Sequence, residues 1–241
     1  MINLFLIRPY VILFLIAFLF LSIRRWGVAK GLIWLVSGYL LAWASEVSSI
    51  HNGFPYGQYY YVYENLRGEL LFFGVPFFDS LSYAFLCFAG FTTASFFLKK
   101  ENSFKTVLLG AFLTMLLDVI IDPVATMGEL WFLGKIHYYA HPGWYFGVPL
   151  TNFAGWFLVA FAIIGFNVLF WKMFLPSTTD DRRPTTNILY PLFYISIALF
   201  NIIMSFWIKQ WFLGITSTII LILIFIIPWT LKKLGRQKIV S

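Results

Sequence analysis

The chain has 241 residues, of which 61% are hydrophobic, 22% aromatic and 11% charged. This composition excludes an ordinary soluble domain, because a single soluble core of that size cannot bury so much apolar surface. It predicts an all-α integral membrane protein, a polytopic helical bundle that forms one domain over residues 1–241. The net charge of +7 could suit a nucleic-acid partner. The basic residues lie at the ends of apolar segments, however, and we therefore predict that they set membrane orientation and that no nucleic acid binds.

About seven stretches approach or exceed the length needed to cross a hydrocarbon core of roughly 30 Å. In chain order they are Pro9–Ile23, Gly31–Ile50, Val75–Leu98, Thr106–Ile121, Leu150–Leu175, Ile188–Ile208 and Trp211–Leu231. The break at Lys209-Gln210 is narrow and the first stretch is short, so the number of membrane crossings could also be six or eight. Because the first stretch lacks a small-residue cleavage site and is followed at once by Arg24-Arg25, we expect a retained anchor rather than a signal peptide.

Every second connection between these stretches is basic. By the positive-inside rule the basic connections are cytoplasmic, which predicts an outside N-terminus and a cytoplasmic C-terminus. We expect the membrane to be that of a prokaryotic cell. One of them contains the linker Pro176–Pro184, which reads as a short turn. The basic residues are Arg24, Arg25 and Lys30; Lys99, Lys100 and Lys105; Lys172, Arg182 and Arg183; and Lys232, Lys233, Arg236 and Lys238.

Two of the predicted outer loops contain the same four residues, Phe-Gly-Val-Pro, at 73–76 and 146–149. Aligning the loops brings Glu46 close to Asp118 and sets Asp79 on Asn152. The alignment predicts either a parallel internal repeat, with copies at residues 31–98 and 106–175, or two unrelated loops that converged on one shape. Both loops are rich in aromatic residues, glycine and proline, which favours non-helical backbone that lines a cavity.

Four carboxylates lie in or beside the apolar stretches, where each ionised group costs roughly 2.5–3.5 kcal/mol at the bilayer centre and is therefore a functional candidate. Asp118 and Asp122 are four residues apart and share one helix face, and Pro123 should end that helix. Glu46 lies about one turn before the end of the second stretch, and Asp79 lies just inside the third. We predict that all four converge on the outer side. Asp79 can instead be a helix N-cap, and Asp122 a turn former.

Three histidines, His51, His137 and His141, fall on the same predicted side. Two of them are four residues apart, a spacing that could suit a metal site, but the His-Glu-x-x-His pattern and a cysteine cluster are both missing from the sequence. The sequence also lacks a glycine-rich phosphate loop. We therefore predict no metal and no cofactor.

Carboxylic acids among aromatic rings suit one kind of chemistry in particular. A carboxyl group held away from water favours its protonated form and can donate that proton. A neighbouring carboxylate and the faces of aromatic rings can stabilise a positive charge that develops on a hydrocarbon. Such a set suits protonation of an alkene to a tertiary carbocation, followed by capture with water or by loss of a proton.

Roughly residues 35–160 resemble the CruF-type carotenoid 1,2-hydratases, a polytopic family of carotenoid biosynthesis proteins. The resemblance rests on Glu46, Gly53-Phe54-Pro55-Tyr56-Gly57-Gln58-Tyr59, Gly74-Val75-Pro76, Asp118 to Pro123, Trp131 and residues 144–156, in that order. It implies addition of water to the terminal double bond of a ψ-end carotenoid, giving a tertiary 1-hydroxy group without a redox cofactor. The chain departs from the family pattern at Tyr145-Phe146-Gly147, where Tyr-Tyr-Gly is expected.

Under this resemblance Asp118 or Asp122 is the expected acid, and Glu46 and Asp79 orient water or counter the cation. The expected partners are a carotenoid dissolved in the lipid bilayer and other enzymes of carotenoid biosynthesis. The residues expected to bind substrate are Tyr56, Tyr59, Trp131, Trp144, Tyr145, Asn152 and Trp156.

Three other functions stay open. A lycopene cyclase uses the same cation without water. A membrane prenyltransferase also carries paired aspartates, as at Asp118-x-x-x-Asp122, but it needs a second acidic motif and basic phosphate partners, and the predicted side of the membrane is the wrong one for it. A transporter with parallel repeats would bind its substrate near the midplane, whereas these acids are expected near the outer ends. Stretches six and seven contain no carboxylate and are interpreted as packing or lipid-facing helices.

Overall fold

A computed structural model describes residues 8–175 and 186–237. Within these ranges the chain forms seven α-helices that are each long and apolar enough to cross a membrane, which confirms the predicted polytopic bundle. The predicted linker Pro176–Pro184 and Lys238 lie outside the described residues. The helices are α1 Pro9–Trp26, α2 Val28–Asn52, α3 Phe77–Leu98, α4 Phe104–Thr126, α5 Leu150–Phe174, α6 Leu189–Trp207 and α7 Trp211–Gln237.

The narrow break that left the helix count open is a real interruption. Helix α6 ends at Trp207, and Lys209 adopts a left-handed φ of 62° before α7 begins at Trp211. A non-glycine residue in this region cannot continue a right-handed helix. The sixth and seventh stretches are therefore two helices.

Helix α3 lies at the centre of the bundle, since every residue from Tyr83 to Ser95 is buried. Its close contact with α4 depends on small residues: a Cβ added to Gly90 would lie 2.6 Å from the carbonyl oxygen of Gly110 and 2.3 Å from Thr114 Oγ1. Transmembrane helices pack through such small residues because lipid provides no hydrophobic force to drive them together. Helices α3 and α4 therefore approach each other closely at Gly90 and Gly110.

The prediction that Pro123 ends α4 is wrong. The helix continues to Thr126, with Pro123 inside it. A proline lacks the N–H that would bond to the carbonyl four residues earlier, but this loss affects one hydrogen bond in the last turn. Asp122 is therefore a helical residue, not a turn former, and its side chain stays on the face that also carries Asp118.

The polypeptide between the helices pairs into short strands at one end of the bundle, here called the loop end (residues 53–76 and 127–149). Strand β1 (Tyr59–Tyr61) pairs antiparallel with β4 (His137–Tyr139), so that Tyr59 faces Tyr139. We call this pair the roof. Residues alternate across a strand, and Tyr59, Tyr61 and Tyr139 are accordingly buried while Tyr60 and Tyr138 are exposed.

The two Phe-Gly-Val-Pro loops adopt the same turn. In the first, β2 (Leu71–Phe72) pairs with β3 (Val75–Pro76) around Phe73 and Gly74, which have φ values of 50° and 80°. In the second, Phe146 and Gly147 have φ values of 48° and 84°. Two consecutive left-handed residues are typical of a type I′ hairpin turn. The loops thus share one shape, while the duplication of residues 31–98 as 106–175 stays a prediction.

Candidate active site

A cavity of about 150 Å³ lies at the loop end, beneath the roof. All four predicted carboxylates, Glu46, Asp79, Asp118 and Asp122, line it. Glu46 comes from the last turns of α2, Asp79 from the first turn of α3, and the aspartate pair from the end of α4. These positions lie at one end of the bundle because neighbouring helices run in opposite directions.

Asn152 links the two aspartates. Its Nδ2 lies 2.7 Å from Asp118 Oδ2 and 3.3 Å from Asp122 Oδ2, and it donates to both. All three side chains are buried, with 2%, 8% and 3% of Asp118, Asp122 and Asn152 exposed. Asn152 sits in the first turn of α5, directly after the second Phe-Gly turn, so the shape of that loop sets its position.

On the roof strand β4, Asp122 has a further hydrogen-bond donor, Tyr139, and a nearby histidine, His137. The Tyr139 hydroxyl donates to Asp122 Oδ2 over 2.5 Å, and His137 Nε2 lies 3.4 Å from Oδ1. Burial, and then the charge of Asp122, raises the pKa of Tyr139 well above its usual value, so the phenol stays a donor. A carboxylate that accepts several hydrogen bonds is stabilised as the anion. Within the described part of the chain, Asp118 accepts a hydrogen bond from Asn152 alone.

Glu46 lies on the other side of the cavity. Its Oε2 accepts a 2.5 Å hydrogen bond from the Ser80 hydroxyl. Next to it two aromatic rings, Tyr83 and Trp156, stack with centroids 3.9 Å apart and an interplanar angle of 3°. Both rings line the cavity, as does Tyr56, whose hydroxyl lies 2.8 Å from Ser45 Oγ. The cavity therefore combines acids with stacked aromatic faces.

Arg8 is a cavity residue that sequence reasoning missed. It is 2% exposed, its guanidinium contacts Asp79, and its Nη2 lies 2.9 Å from Glu69 Oε1. Burial lowers the pKa of Arg8, but the two carboxylates outweigh this and raise it, so the residue stays charged. The N-cap of α3 is Pro76, and Asp79 is therefore not a cap. Its charge is matched by Arg8.

Most of the predicted substrate-binding residues line the cavity. Five of the seven do so, namely Tyr56, Tyr59, Trp131, Asn152 and Trp156. Trp144 and Tyr145 are not among the lining residues, and Trp144 is 80% exposed. They lie directly before the second Phe-Gly turn, where the Tyr145 ring packs against Phe146 and Phe153.

Several lining residues were not predicted. Tyr61, Tyr139 and His137 come from the roof, and Asn201 comes from α6. The alternation along Tyr59-Tyr60-Tyr61 was a usable signal for the roof tyrosines, because a strand buries every second side chain. The interpretation of stretch six as a packing or lipid-facing helix is incomplete, since one face of α6 reaches the cavity.

The three histidines separate in the fold. His51 is exposed and its Nδ1 lies 2.7 Å from the Val47 carbonyl oxygen, whereas His137 reaches the cavity. Over residues 8–175 and 186–237, no three His, Cys, Asp or Glu side chains are grouped so that they could hold a metal ion.

A second, shallower groove of about 630 Å³ lies on the outside of the roof. His137 and Tyr139 line both this groove and the cavity. The two residues that contact Asp122 from the roof thus also separate it from the surrounding solvent.

The family described as carotenoid biosynthesis protein matches residues 7–225. The chain belongs to that family. A curated relative, bisanhydrobacterioruberin hydratase from Haloarcula japonica, is 32% identical over 162 residues, which is 63% of this chain and 50% of the relative. The chain thus spans about half the length of the curated relative that it matches. No solved structure matches the chain.

Proposed function

We propose that this member of the carotenoid biosynthesis protein family is a hydratase that adds water to the terminal 1,2 double bond of a ψ-end carotenoid. The product is a tertiary 1-hydroxy carotenoid. The observation that carries the proposal is the convergence of four carboxylates and stacked aromatic rings on one buried cavity. The name of the relative from Haloarcula japonica, a hydratase, supports the same class of reaction.

In the first step Asp118 donates a proton to C-2 of the double bond. The π electrons form the new C–H bond, and the positive charge develops at C-1, the more substituted carbon. Asp118 is assigned this role because Asp122, with donors from Tyr139 and Asn152, is the better-stabilised anion of the pair. A neutral acid beside a fixed anion is a recurrent arrangement when two carboxyl groups share a site.

The cation at C-1 is stabilised by Asp122, by Glu46 and by the faces of Tyr83 and Trp156. Ring faces attract a cation through their quadrupole, and this attraction grows when water is excluded. Because these groups are already held in position, they do not have to reorganise as the positive charge develops during the reaction.

Water then attacks C-1, and the proton that it loses restores the acid form of Asp118. One molecule of water is consumed and no electrons are transferred, so the step balances without a co-reactant. In this proposal Glu46 orients the water on its side of the cavity and Asn152 on the other; both residues line the cavity. Asp79 forms an ion pair with Arg8, and we therefore assign it a structural role in the site.

The cavity is small compared with the roughly 300–1,000 Å³ of sites that enclose a drug-sized ligand. It therefore takes only the end of a long hydrocarbon, and the remainder extends into the bilayer. A membrane-spanning carotenoid is about as long as the bilayer is thick, so its end lies near the interface, at the depth of these carboxylates. We also propose an outside N-terminus, a cytoplasmic C-terminus and a prokaryotic cell membrane as the location.

Expression of the chain in a lycopene-producing host tests the proposal. We expect pigments heavier by one or two waters, with unchanged absorption maxima, because the isolated terminal double bond is outside the conjugated system. A product of unchanged mass with a blue-shifted spectrum would instead identify a cyclase. Unaltered pigment would argue against carotenoid chemistry and would favour the hypothesis that the protein is a transporter. Chelator treatment of the membranes should leave the activity unchanged.

A further inference from the structure

The groove on the outside of the roof shares a wall with the cavity. Val62 and Met127 line the groove from the segments that follow β1 and α4, and His137 and Tyr139 line it from the roof. The two roof residues line the cavity as well. A single layer of side chains therefore separates the groove from Asp122.

His137 is the less firmly held of these two residues. Its Nε2 lies 3.4 Å from Asp122 Oδ1, beyond the usual range of about 2.7–3.2 Å for a hydrogen bond, and 11% of its side chain is exposed. The Tyr139 hydroxyl, by contrast, is bound to Asp122 over 2.5 Å. Rotation of the His137 ring about its side-chain bonds would thus join the groove to the cavity without breaking the Tyr139 hydrogen bond.

The groove is open to water. It has a volume of about 630 Å³, whereas one water molecule takes up about 30 Å³. Lys135 lines it with 46% of its side chain exposed, so solvent reaches its rim. The hydrocarbon layer, in contrast, offers no water to a cavity that consumes one molecule in each turnover.

The cavity wall at Arg8 is closed by charge. The Arg8 guanidinium contacts Asp79, and its Nη2 lies 2.9 Å from Glu69 Oε1. The side chains of Arg8 and Glu69 are only 3% and 4% exposed. Passage of water on this side would break a buried ion pair, whereas passage at the roof requires the rotation of one ring.

We infer that the groove supplies the water of the hydration reaction and that this water enters the cavity past His137. The inference rests on the proposed function. Water that passes His137 meets Asp122 first and then Asn152, which donates to both aspartates. The two substrates therefore reach the site from different sides, the carotenoid from the bilayer and the water from the solvent.

Labelling of introduced cysteines tests the route. The natural cysteine of the chain, Cys87, is buried. Val62→Cys and Met127→Cys each place a thiol in the groove. Each purified variant is treated either with methyl methanethiosulfonate, which adds only a methylthio group, or with a methanethiosulfonate that carries a bulky uncharged sugar. Mass spectrometry verifies complete labelling, and thermal unfolding verifies the fold. The kcat and KM for hydration of lycopene are then measured in liposomes.

We expect the bulky label to remove most of kcat at both positions, and the methylthio group to leave kcat near that of the unlabelled variant. The KM for lycopene should stay unchanged, because the carotenoid enters from the bilayer. Glu64→Cys is the matched control, since Glu64 is exposed and close to Val62 but is not among the residues that line the groove. Leu70→Cys places the same label beside Glu69, at the Arg8 wall, and should also keep its activity.

Hydration that survives complete bulky labelling of Val62→Cys or Met127→Cys would overturn the inference. Failure of these thiols to react would do the same, since the groove would then be closed to solvent. An equal loss of kcat with both reagents would assign the effect to packing rather than passage, and a loss at Leu70→Cys would move the water route to the Arg8 wall. If the unlabelled natural chain hydrates no carotenoid, the proposed function itself fails, and the route fails with it.

Discussion

The two aspartates of α4 differ in their surroundings, and matched Asn substitutions should separate their roles. Asp118→Asn keeps an oxygen that can accept the 2.7 Å hydrogen bond from Asn152 but removes the acidic proton. General acids contribute about 10²–10⁴-fold to rate, or about 2.7–5.4 kcal/mol, and we expect a loss of that size. Asp122→Asn keeps an acceptor for Tyr139 and loses only the anionic charge. Because Glu46 and the ring faces of Tyr83 and Trp156 also stabilise the cation, the hydration rate of this variant should fall by only about tenfold, or about 1.4 kcal/mol.

The assay is the rate at which hydrated carotenoid appears in membranes that contain lycopene, divided by the amount of folded protein. Protein level should hold in both variants, since each substitution preserves shape and hydrogen bonding. The reasoning would be refuted by near-normal rates in both variants. A larger loss for Asp122→Asn than for Asp118→Asn would exchange the two roles.

Three further predictions concern residues around the site. Arg8→Gln should reduce the amount of folded protein, because breaking a buried ion pair by removing one partner costs about 3–5 kcal/mol; Arg8→Lys should restore part of it, and immunoblotting with thermal unfolding measures both. His137→Ala should lower the hydration rate up to about tenfold through loss of its contact with Asp122, whereas His141→Ala should leave it unchanged. Reporter fusions after Lys100 should indicate the cytoplasm and a fusion at Arg67 the opposite side; a shared side would contradict the proposed orientation.

The membrane helices were predictable because each is a long apolar run whose length is fixed by the bilayer. The convergence of Glu46 with Asp118 also followed from topology, since both lie near the ends of helices that finish on the same side. The prediction that Pro123 ends its helix failed because the helix continues for only one more turn. The N–H that proline lacks therefore removes a single hydrogen bond. Arg8 could not be predicted: its partners Glu69 and Asp79 are 61 and 71 residues away, and no local pattern records such a contact.

The roof can form only from two separate segments of the chain. Strand β1 follows α2 and strand β4 follows α4, so the cover of the cavity forms only when both segments are present. Either segment alone would expose an unpaired strand edge at the membrane surface, and such edges invite pairing with other chains. The connection between Leu98 and Phe104 lies at the other end of the bundle and takes no part in this pairing. If the chain were cut there, each of the two fragments would carry only one of the two roof strands. Co-expression of the fragments should allow β1 and β4 to pair and cover the cavity again.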